Sequence, residues 1–247
     1  MNILVVVPTF NESENIPIAL RRIRRAVPAA TVLVVDDGSP DGTADIAEQC
    51  GKELGDIEVM RRFEKSGLGS AYRDGFHWGL AHGFDACVEM DADLSHEPES
   101  LPTLVAPLHE GFELIIGSRY ISGGSIPSWK RSRRMLSRGG NWYASAMLGL
   151  GVTDSTSGFR VYAASLLNRI DLDEVRAEGY GFQIEMTYRS VLEKADIVEV
   201  PIRFMDRIGG ESKMSTAIVV EALGLVTRWG IERALGIAAP EPVAAQV

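Results

Sequence analysis

The first 120 residues alternate short apolar runs with longer stretches in which apolar residues recur every three or four positions. Continuous β-branched and aliphatic runs are typical of strands buried on both faces, and the longer period is typical of amphipathic helices. The pattern predicts strands at 3–7, 31–35, 57–61, 84–90 and 114–117, and helices at 13–27, 43–50, 67–82 and 97–109. This alternation indicates an α/β fold with a doubly wound, mostly parallel sheet and helices on both faces.

The second half of the chain has a less regular pattern. Residues 118–140 are rich in glycine and arginine, and the following pattern predicts helices at 141–150, 161–170, 183–194 and 216–235 and a strand at 197–204. Residues 236–247 contain two prolines and no periodicity, which predicts a disordered tail. A chain of 247 residues has ample length for a core, and we expect a single domain over residues 1–235.

Composition and charge exclude several classes of protein. A formal net charge of −9 argues against nucleic-acid binding, because affinity for the phosphate backbone needs a cationic surface. No apolar segment reaches the roughly 18 residues of a membrane span, so we expect no transmembrane helices. The amino terminus has no basic region or cleavage site and is predicted to be a strand, not a signal peptide. Cys50 and Cys87 show neither metal-ligand nor disulfide spacing, which fits a reducing cytoplasm.

Polar clusters follow three of the predicted strands, at residues 8–12, 36–37 and 91–93. In doubly wound sheets, ligands bind beyond the carboxyl ends of the strands, so we expect these clusters at one edge. Asp91 and Asp93 are two positions apart, and both carboxylates can turn toward one hard cation that holds a diphosphate. An isolated Asp-x-Asp segment is more often a solvated turn, and the other motifs decide between the two.

Six short segments occur along the chain. None of them identifies a family by itself, but their order does. They are 8–12 (PTFNE), 35–43 (VDDGSPDGT), 91–93 (DAD), 117–120 (GSRY), 154–160 (DSTSGFR) and 207–213 (RIGGESK). This order resembles the GT-A glycosyltransferases of family 2. Within that family, the chain to about residue 235 is similar to the polyprenyl-phosphate (dolichol-phosphate) mannosyltransferases, whose pattern includes the last two segments.

The resemblance implies an enzyme that transfers mannose with inversion from GDP-mannose to a polyprenyl (dolichyl-type) monophosphate, assisted by Mg²⁺ or Mn²⁺. The products would be polyprenyl-phosphate mannose and GDP. Because the second pKa of a phosphate monoester is about 6, the acceptor is largely a dianion at neutral pH and needs no general base. The remaining task is to bring two anions together, for which a divalent cation and arginines are suited.

The family pattern also implies roles for individual residues. The implied nucleotide-sugar ligands are Pro8, Phe10, Glu12, Val35, Asp37, Asp91, Ala92, Asp93, Arg119, Arg207 and Lys213. The implied catalytic residues are Asp91, Asp93 and Arg119, and the implied metal ligands are Asp91, Asp93 and Ser95. The acceptor phosphate is assigned to Arg119 and Arg133. Many relatives carry Gln in place of Ser95, whose hydroxyl is a shorter and weaker ligand.

Three of these assignments are more detailed. Phe10 is expected to pack on the nucleoside. Ordinary core packing is the alternative interpretation of an aromatic residue at this position. Val35 is expected to contact the nucleotide through its backbone, beside Asp37. Arg207 and Lys213 are expected on a late loop that closes over the diphosphate.

A basic cluster at residues 129–138 directly precedes the apolar helix predicted at 141–150. Basic residues beside an aromatic and aliphatic helix suit a membrane interface, although a buried helix has the same pattern. We therefore expect a nucleotide-sugar half at 1–120 and an acceptor half with interfacial helices at 121–235. The resemblance implies a cytoplasmic enzyme that is peripheral at the cytosolic face of the membrane, with or without a membrane-anchoring partner protein.

Several alternatives stay open at the level of sequence. Transfer of glucose from UDP-glucose to the same lipid phosphate would use a similar set of residues. An inactive nucleotide-sugar-binding regulator would show damage among the metal or phosphate residues, yet Asp91, Asp93, Arg119 and Lys213 are present. A dehydrogenase is disfavoured because no G-x-G-x-x-G follows the first strand.

Overall fold

The computed structural model describes residues 1–205 and 216–236. These residues contain a seven-stranded sheet with the strand order β3-β2-β1-β4-β6-β5-β7. The strands are β1 (Ile3–Thr9), β2 (Thr31–Asp36), β3 (Ile57–Arg61), β4 (Ala86–Glu89), β5 (Leu114–Ser118), β6 (Arg160–Ala163) and β7 (Ile197–Pro201). The helices are α1 (Ile16–Ala26), α2 (Thr43–Leu54), α3 (Leu68–Ala81), α4 (Leu101–Val105), α5 (Arg131–Leu148), α6 (Ala164–Leu167), α7 (Tyr180–Leu192) and α8 (Thr216–Ala234).

The sheet is mostly parallel and covered on both faces, as the alternating pattern predicts. All neighbouring strands pair in parallel except β6, which runs against β4 and β5. Leu4 and Val6 of β1 pack with α3, α5 and α7 on one face. Val5 and Val7 pack with α1, α2 and α4 on the other. The alternation places a core on each side of the sheet, and the predicted fold class is confirmed.

Prolines account for two differences in the first half. Helix α1 begins at Ile16 instead of Ser13, with Pro17 in its first turn, where the missing amide hydrogen is not needed. The Ser13 amide instead donates to the Asp41 carboxylate at 3.1 Å. The helix predicted at 97–109 is only the short α4 flanked by 3₁₀ turns. Pro98, Pro102 and Pro107 interrupt it because each removes an amide donor.

The helix predicted at 161–170 is wrong. Residues Arg160–Ala163 form β6, which lies between β4 and β5, and only Ala164–Leu167 is helical. Val161 and Tyr162 are buried on opposite faces of the sheet, an environment that favours β-branched and aromatic residues. The leucines that follow supplied the helical period and concealed the short strand.

The helix predicted at 141–150 is longer than expected. Helix α5 begins at Arg131, so the basic cluster forms its first turns, and it ends at Leu148. Gly149 follows with a φ of +66°, and its amide donates to the carbonyl of Ser145 at 2.8 Å. A left-handed residue at this position is the common way to end a helix.

Within the described part of the chain, no helix is long and apolar enough to cross a membrane. The sheet takes β1–β5 from the predicted nucleotide-sugar half and β6 and β7 from the predicted acceptor half. The functional division at residue 120 stays a prediction. Residues 237–247 of the expected tail lie outside the described residues.

Candidate active site

A cleft of about 670 Å³ opens at the carboxyl ends of β1, β4 and β5. Its lining contains ten of the residues singled out from the sequence: Pro8, Phe10, Glu12, Asp37, Asp91, Ala92, Asp93, Ser95, Arg119 and Arg133. Segments more than 100 residues apart in sequence therefore meet at one edge of the sheet. This is the place where a doubly wound sheet binds its ligands.

The two neighbouring aspartates after β2 have different surroundings. Asp36 is buried and accepts hydrogen bonds from the Thr9 hydroxyl at 2.8 Å and from the amide of Ser39 at 2.9 Å. Asp37 lines the cleft and forms an ion pair with Arg62 at 2.6 Å. Asp36 therefore ties the loops after β1 and β2 together, which leaves Asp37 as the aspartate facing a ligand.

The loop after β1 brings an aromatic ring to the same end of the cleft. Phe10 is half-buried, and the Lys65 ammonium lies 4.2 Å from its ring centroid. The Glu12 carboxylate accepts a hydrogen bond from Nδ2 of the Asn15 side chain at 2.8 Å. Val35 is fully buried with its side chain in the core, so it can contact a ligand only through its backbone.

Strand β4 ends at Glu89, and Asp91 and Asp93 follow it in a tight turn. Leu94 has a φ of +63°, and the Ser95 amide donates to Asp93 Oδ1 at 3.0 Å. The Tyr72 hydroxyl donates to Asp91 Oδ1 at 3.2 Å. Burial and the nearby Asp91 raise the pKa of Tyr72, which therefore stays a hydrogen-bond donor.

The donor set at this turn fits a hard divalent cation. Ser95 is 1% exposed, and its hydroxyl oxygen has no hydrogen-bond partner among residues 1–205 and 216–236. It lines the cleft together with the Asp91 and Asp93 carboxylates, and oxygen ligands are those that Mg²⁺ and Mn²⁺ prefer. The described residues contain no cluster of three or more His, Cys, Asp and Glu for a metal. Phosphate oxygens or water would therefore complete the coordination.

Arg119 follows β5 and is almost completely buried beside Asp154. Its Nε and Nη2 donate to the two Asp154 oxygens at 2.8 and 2.6 Å, and its backbone amide donates to the same carboxylate at 2.9 Å. Nη2 also donates to the Thr156 hydroxyl at 2.8 Å. Burial would lower the pKa of Arg119, but the charge of Asp154 more than offsets this and raises it. The result is a permanent cation in a fixed orientation.

An apolar groove of about 410 Å³ adjoins the cleft. Met135, Leu136 and Tyr143 of α5 and Leu223 and Val226 of α8 contribute to its walls. Both cavities share five lining residues: Arg119, Trp129, Arg133, Thr156 and Tyr180. The Arg133 guanidinium lies 4.0 Å from the centroid of the Trp129 ring. A polar cleft and an apolar groove thus meet at two arginines.

The family model for glycosyl transferase family 2 matches residues 4–174, more than half of the chain. The chain belongs to this family. It is 51% identical over 231 residues to an undecaprenyl-phosphate mannosyltransferase of Micrococcus luteus, covering 94% of this chain and 95% of that protein. It is 45% identical over 239 residues to a polyprenol monophosphomannose synthase of Mycolicibacterium smegmatis, covering 95% and 90% respectively.

Solved structures of other glycosyltransferases share the fold. A mannosyl-3-phosphoglycerate synthase from Rubrobacter xylanophilus has a TM-score of 0.70 at 17% identity, covering all of this chain and 79% of that one. A glucosyl-3-phosphoglycerate synthase from Mycobacterium tuberculosis, solved with Mn²⁺ and UDP, has a TM-score of 0.64 at 22% identity, covering 100% and 83%. The GT-A fold expected from the motif order is confirmed.

Sequence reasoning assigned no role to several polar residues that surround the site of this glycosyltransferase. Asp154 and Thr156 contact Arg119, and Gln183 lines the cleft. The DSTSGFR segment could have indicated Asp154 and Thr156, since a polar run between apolar elements needs hydrogen-bond partners. Two other predicted ligands, Arg207 and Lys213, lie outside the described residues.

Proposed function

We propose that this family 2 glycosyltransferase transfers mannose from GDP-mannose to a polyprenyl monophosphate, with inversion at the anomeric carbon. The observation that carries the proposal is the junction of the polar cleft and the apolar groove at Arg119 and Arg133. An acceptor with an anionic head on an isoprenoid chain needs both environments side by side. The names of the two similar mannosyl-transferring proteins support the same sugar and the same class of lipid.

Different residues would bind the donor and the acceptor, at two ends of the cleft. Phe10, Glu12 and Asp37 would bind the guanosine end of the donor, with contacts from the Val35 backbone and Pro8. The acceptor phosphate would bind between Arg119 and Arg133. Because Arg119 is already paired with Asp154, Arg133 would supply most of the charge that offsets the repulsion between two phosphate groups. Because the acceptor is largely dianionic, with a second pKa of about 6, it can attack without a general base. A backside attack inverts the anomeric centre.

Asp91, Asp93 and Ser95 would hold Mg²⁺ or Mn²⁺, which neutralises charge on the departing GDP when bound. Ala92 lines the cleft between the two carboxylates and has no side chain long enough to obstruct the diphosphate. Arg207 and Lys213 are proposed as further diphosphate ligands on the basis of the motif order alone.

Helix α5 would place the enzyme on the membrane. Arg131, Met135, Arg138 and Trp142 are all exposed and recur at a spacing that aligns them on one helical stripe. Met135 and Trp142 are 74% and 73% exposed. Alternating cations and large apolar side chains suit the headgroup region of an anionic leaflet. We propose a peripheral position at the cytosolic face, with a membrane-anchoring partner protein as an additional contact.

The test is a transfer assay with purified protein, radiolabelled GDP-mannose, a short polyprenyl phosphate and Mg²⁺. Label should move into a lipid product, and removal of the metal with EDTA should stop the transfer until Mg²⁺ or Mn²⁺ is restored. A parallel reaction with UDP-glucose tests the alternative donor. Glucose transfer without mannose transfer would overturn the mannose assignment, and binding of donor without any transfer would indicate a regulator.

A further inference from the structure

Gln183, on α7, is a buried polar residue that the proposed chemistry does not use. It is 2% exposed, and it lines the cleft. Its backbone carbonyl accepts hydrogen bonds from Arg160 and Thr187. Its side-chain Oε1 and Nε2 have no hydrogen-bond partner in the part of the chain that the structure describes. Buried amides are nearly always paired, because an unpaired one costs about 1–3 kcal/mol.

A purely structural role would pair this amide with the buried carboxyl of Glu89. Burial raises the pKa of Glu89 to about 8, whereas the charge of Arg160 and a close polar contact with the Gln183 side chain lower it. However, neither the Glu89 oxygens nor the Gln183 amide atoms have a partner that meets hydrogen-bond geometry within the described residues. The Gln183 amide is therefore in polar contact with Glu89, but outside hydrogen-bond geometry, which leaves its donor and acceptor available to a ligand in the cleft.

The Gln183 amide lies near both the proposed diphosphate site and the proposed acceptor site. A Cβ built on Gly158 would lie 3.6 Å from Gln183 Nε2 and 4.0 Å from Asp91 Oδ2. Two residues before Gly158, the Thr156 hydroxyl accepts a hydrogen bond from Arg119. Gln183 therefore faces the space between the carboxylates proposed to hold the diphosphate and the arginine proposed to hold the acceptor. The glycine leaves this space open.

The hydrogen-bonding groups of the Gln183 amide indicate which part of a nucleotide sugar it can bind. Phosphate oxygens only accept hydrogen bonds, whereas the Gln183 side chain offers a donor and an acceptor that are both unpaired. A sugar hydroxyl both donates and accepts, so adjacent hydroxyls can satisfy the whole amide. The nucleoside is excluded because its proposed ligands, Phe10 and Asp37, follow β1 and β2, which lie on the side of β4 away from β6 and β5.

We propose that the Gln183 side chain binds hydroxyl groups of the donor sugar and so determines sugar specificity. The proposal rests on the proposed function, because it needs the sugar to lie between diphosphate and acceptor. Gly158 contributes by leaving room for the ring beside the amide.

The test compares GDP with GDP-mannose binding by calorimetry in the presence of Mg²⁺. Gln183→Leu keeps the side-chain volume but removes both polar atoms, and it should weaken GDP-mannose about 10-fold while changing GDP less than about twofold. Ser190→Ala is the matched control on the same helix, since its hydroxyl only donates to the Met186 carbonyl. This control should leave both dissociation constants unchanged.

Singly deoxygenated GDP-mannose analogues sharpen the result. In the wild-type protein, at least one analogue should bind about 10-fold more weakly than GDP-mannose, and in Gln183→Leu that difference should disappear. If Gln183→Leu does not fold, Gly158→Ala serves instead, because its methyl group enters the same space and should weaken GDP-mannose selectively.

Two outcomes would overturn the inference. One is an equal change in GDP and GDP-mannose affinity, and the other is an analogue profile that is identical in variant and wild type. A mannose-transfer assay of the wild-type protein distinguishes failure of the Gln183 role from failure of the proposed function. If the wild type transfers mannose and the variant binds like wild type, only the Gln183 role fails; if the wild type transfers no mannose, both proposals fail.

Discussion

The donor side and the acceptor side of the cleft are built in different ways. On the donor side, Phe10, Asp37 and Asp91 each lie within two residues of the end of a strand, so the backbone of the sheet places them. On the acceptor side, Arg119 also follows a strand, but its guanidinium is fixed by Asp154, which is 35 residues later. Both sides have long-range contacts, since Arg62 pairs with Asp37 and Tyr72 donates to Asp91. The acceptor side differs because its arginine depends on an ion pair that is almost fully buried on both partners.

The long-range contacts form a chain of hydrogen bonds around residues 153–160. Glu199 accepts from the Asp154 amide at 2.9 Å, and Asn141 of α5 accepts from the Ser155 hydroxyl at 3.0 Å. Arg160 donates to the carbonyl of Ser155 at 2.7 Å from the other side. In a buried polar network of this kind, removing one member also weakens the hydrogen bonds of its neighbours. The two sides should therefore respond differently to single substitutions.

The largest expected effect is on the donor side. Asp93→Ala should lower the rate of mannose transfer at least about 100-fold, because it removes a carboxylate proposed to hold the cation that neutralises the departing GDP. The free energy of unfolding should fall by about 1–3 kcal/mol at most, since the Ser95 amide loses its acceptor while the sheet still places the surrounding loops. Asp173→Ala is the control, because that aspartate is 87% exposed and is not among the residues that line the cleft. Near-normal transfer by Asp93→Ala would contradict the metal role.

The next effect belongs to the acceptor side and concerns the stability of the fold. Asp154→Ala leaves the Arg119 guanidinium buried without its counterion, which costs about 3–5 kcal/mol in comparable pairs. Urea unfolding monitored by circular dichroism measures this cost. The matched control is Glu99→Ala, which breaks the more exposed Arg22 pair and should cost less than about 1 kcal/mol. Equal costs for the two variants would mean that the buried pair does not hold the acceptor side together.

The same contrast explains what the sequence could and could not predict. Strands that end in polar clusters are visible in a one-dimensional pattern, so the edge that collects Asp37, Asp91 and Arg119 was predictable. The partner of Arg119 was not, because no periodicity links residues that are 35 positions apart. The motif order named the segment 154–160 as characteristic without indicating which of its residues faces which side chain.

Strand β6 and Gln183 illustrate two further limits. Strand β6 has only four residues, too few to establish a period of two, and its first residue is a fully buried arginine. Gln183 lies within a helical period in which every residue from Gly181 to Tyr188 is buried. Sequence alone cannot show that one polar residue in such a run faces a cleft, since burial and orientation are set by the packing of α7 on the sheet.

A smaller effect tests the junction of cleft and groove. Arg133→Ala should raise the KM for a short, soluble polyprenyl phosphate about 10-fold, because it removes one of two charges proposed to bind the acceptor phosphate. The KM for GDP-mannose should stay within about twofold of wild type. Arg131→Ala, on the exposed face two residues earlier, is the control and should change neither constant. A rise in the GDP-mannose KM alone would place Arg133 on the donor side.

The smallest expected effect is on membrane binding. It compares exposed apolar residues on the acceptor side and on the donor side. Trp142→Glu replaces an exposed apolar side chain with an anion and should weaken binding to anionic phospholipid vesicles several-fold, about 1–2 kcal/mol. Vesicle co-sedimentation measures the binding, and transfer to a short soluble acceptor should be unchanged. Ile18→Glu on α1 is the control, because it also places a glutamate at an exposed apolar position, 47% exposed, but on the donor side. If both variants lose vesicle binding equally, net charge and not the α5 stripe determines membrane association; if only Trp142→Glu does, α5 is the surface that faces the bilayer.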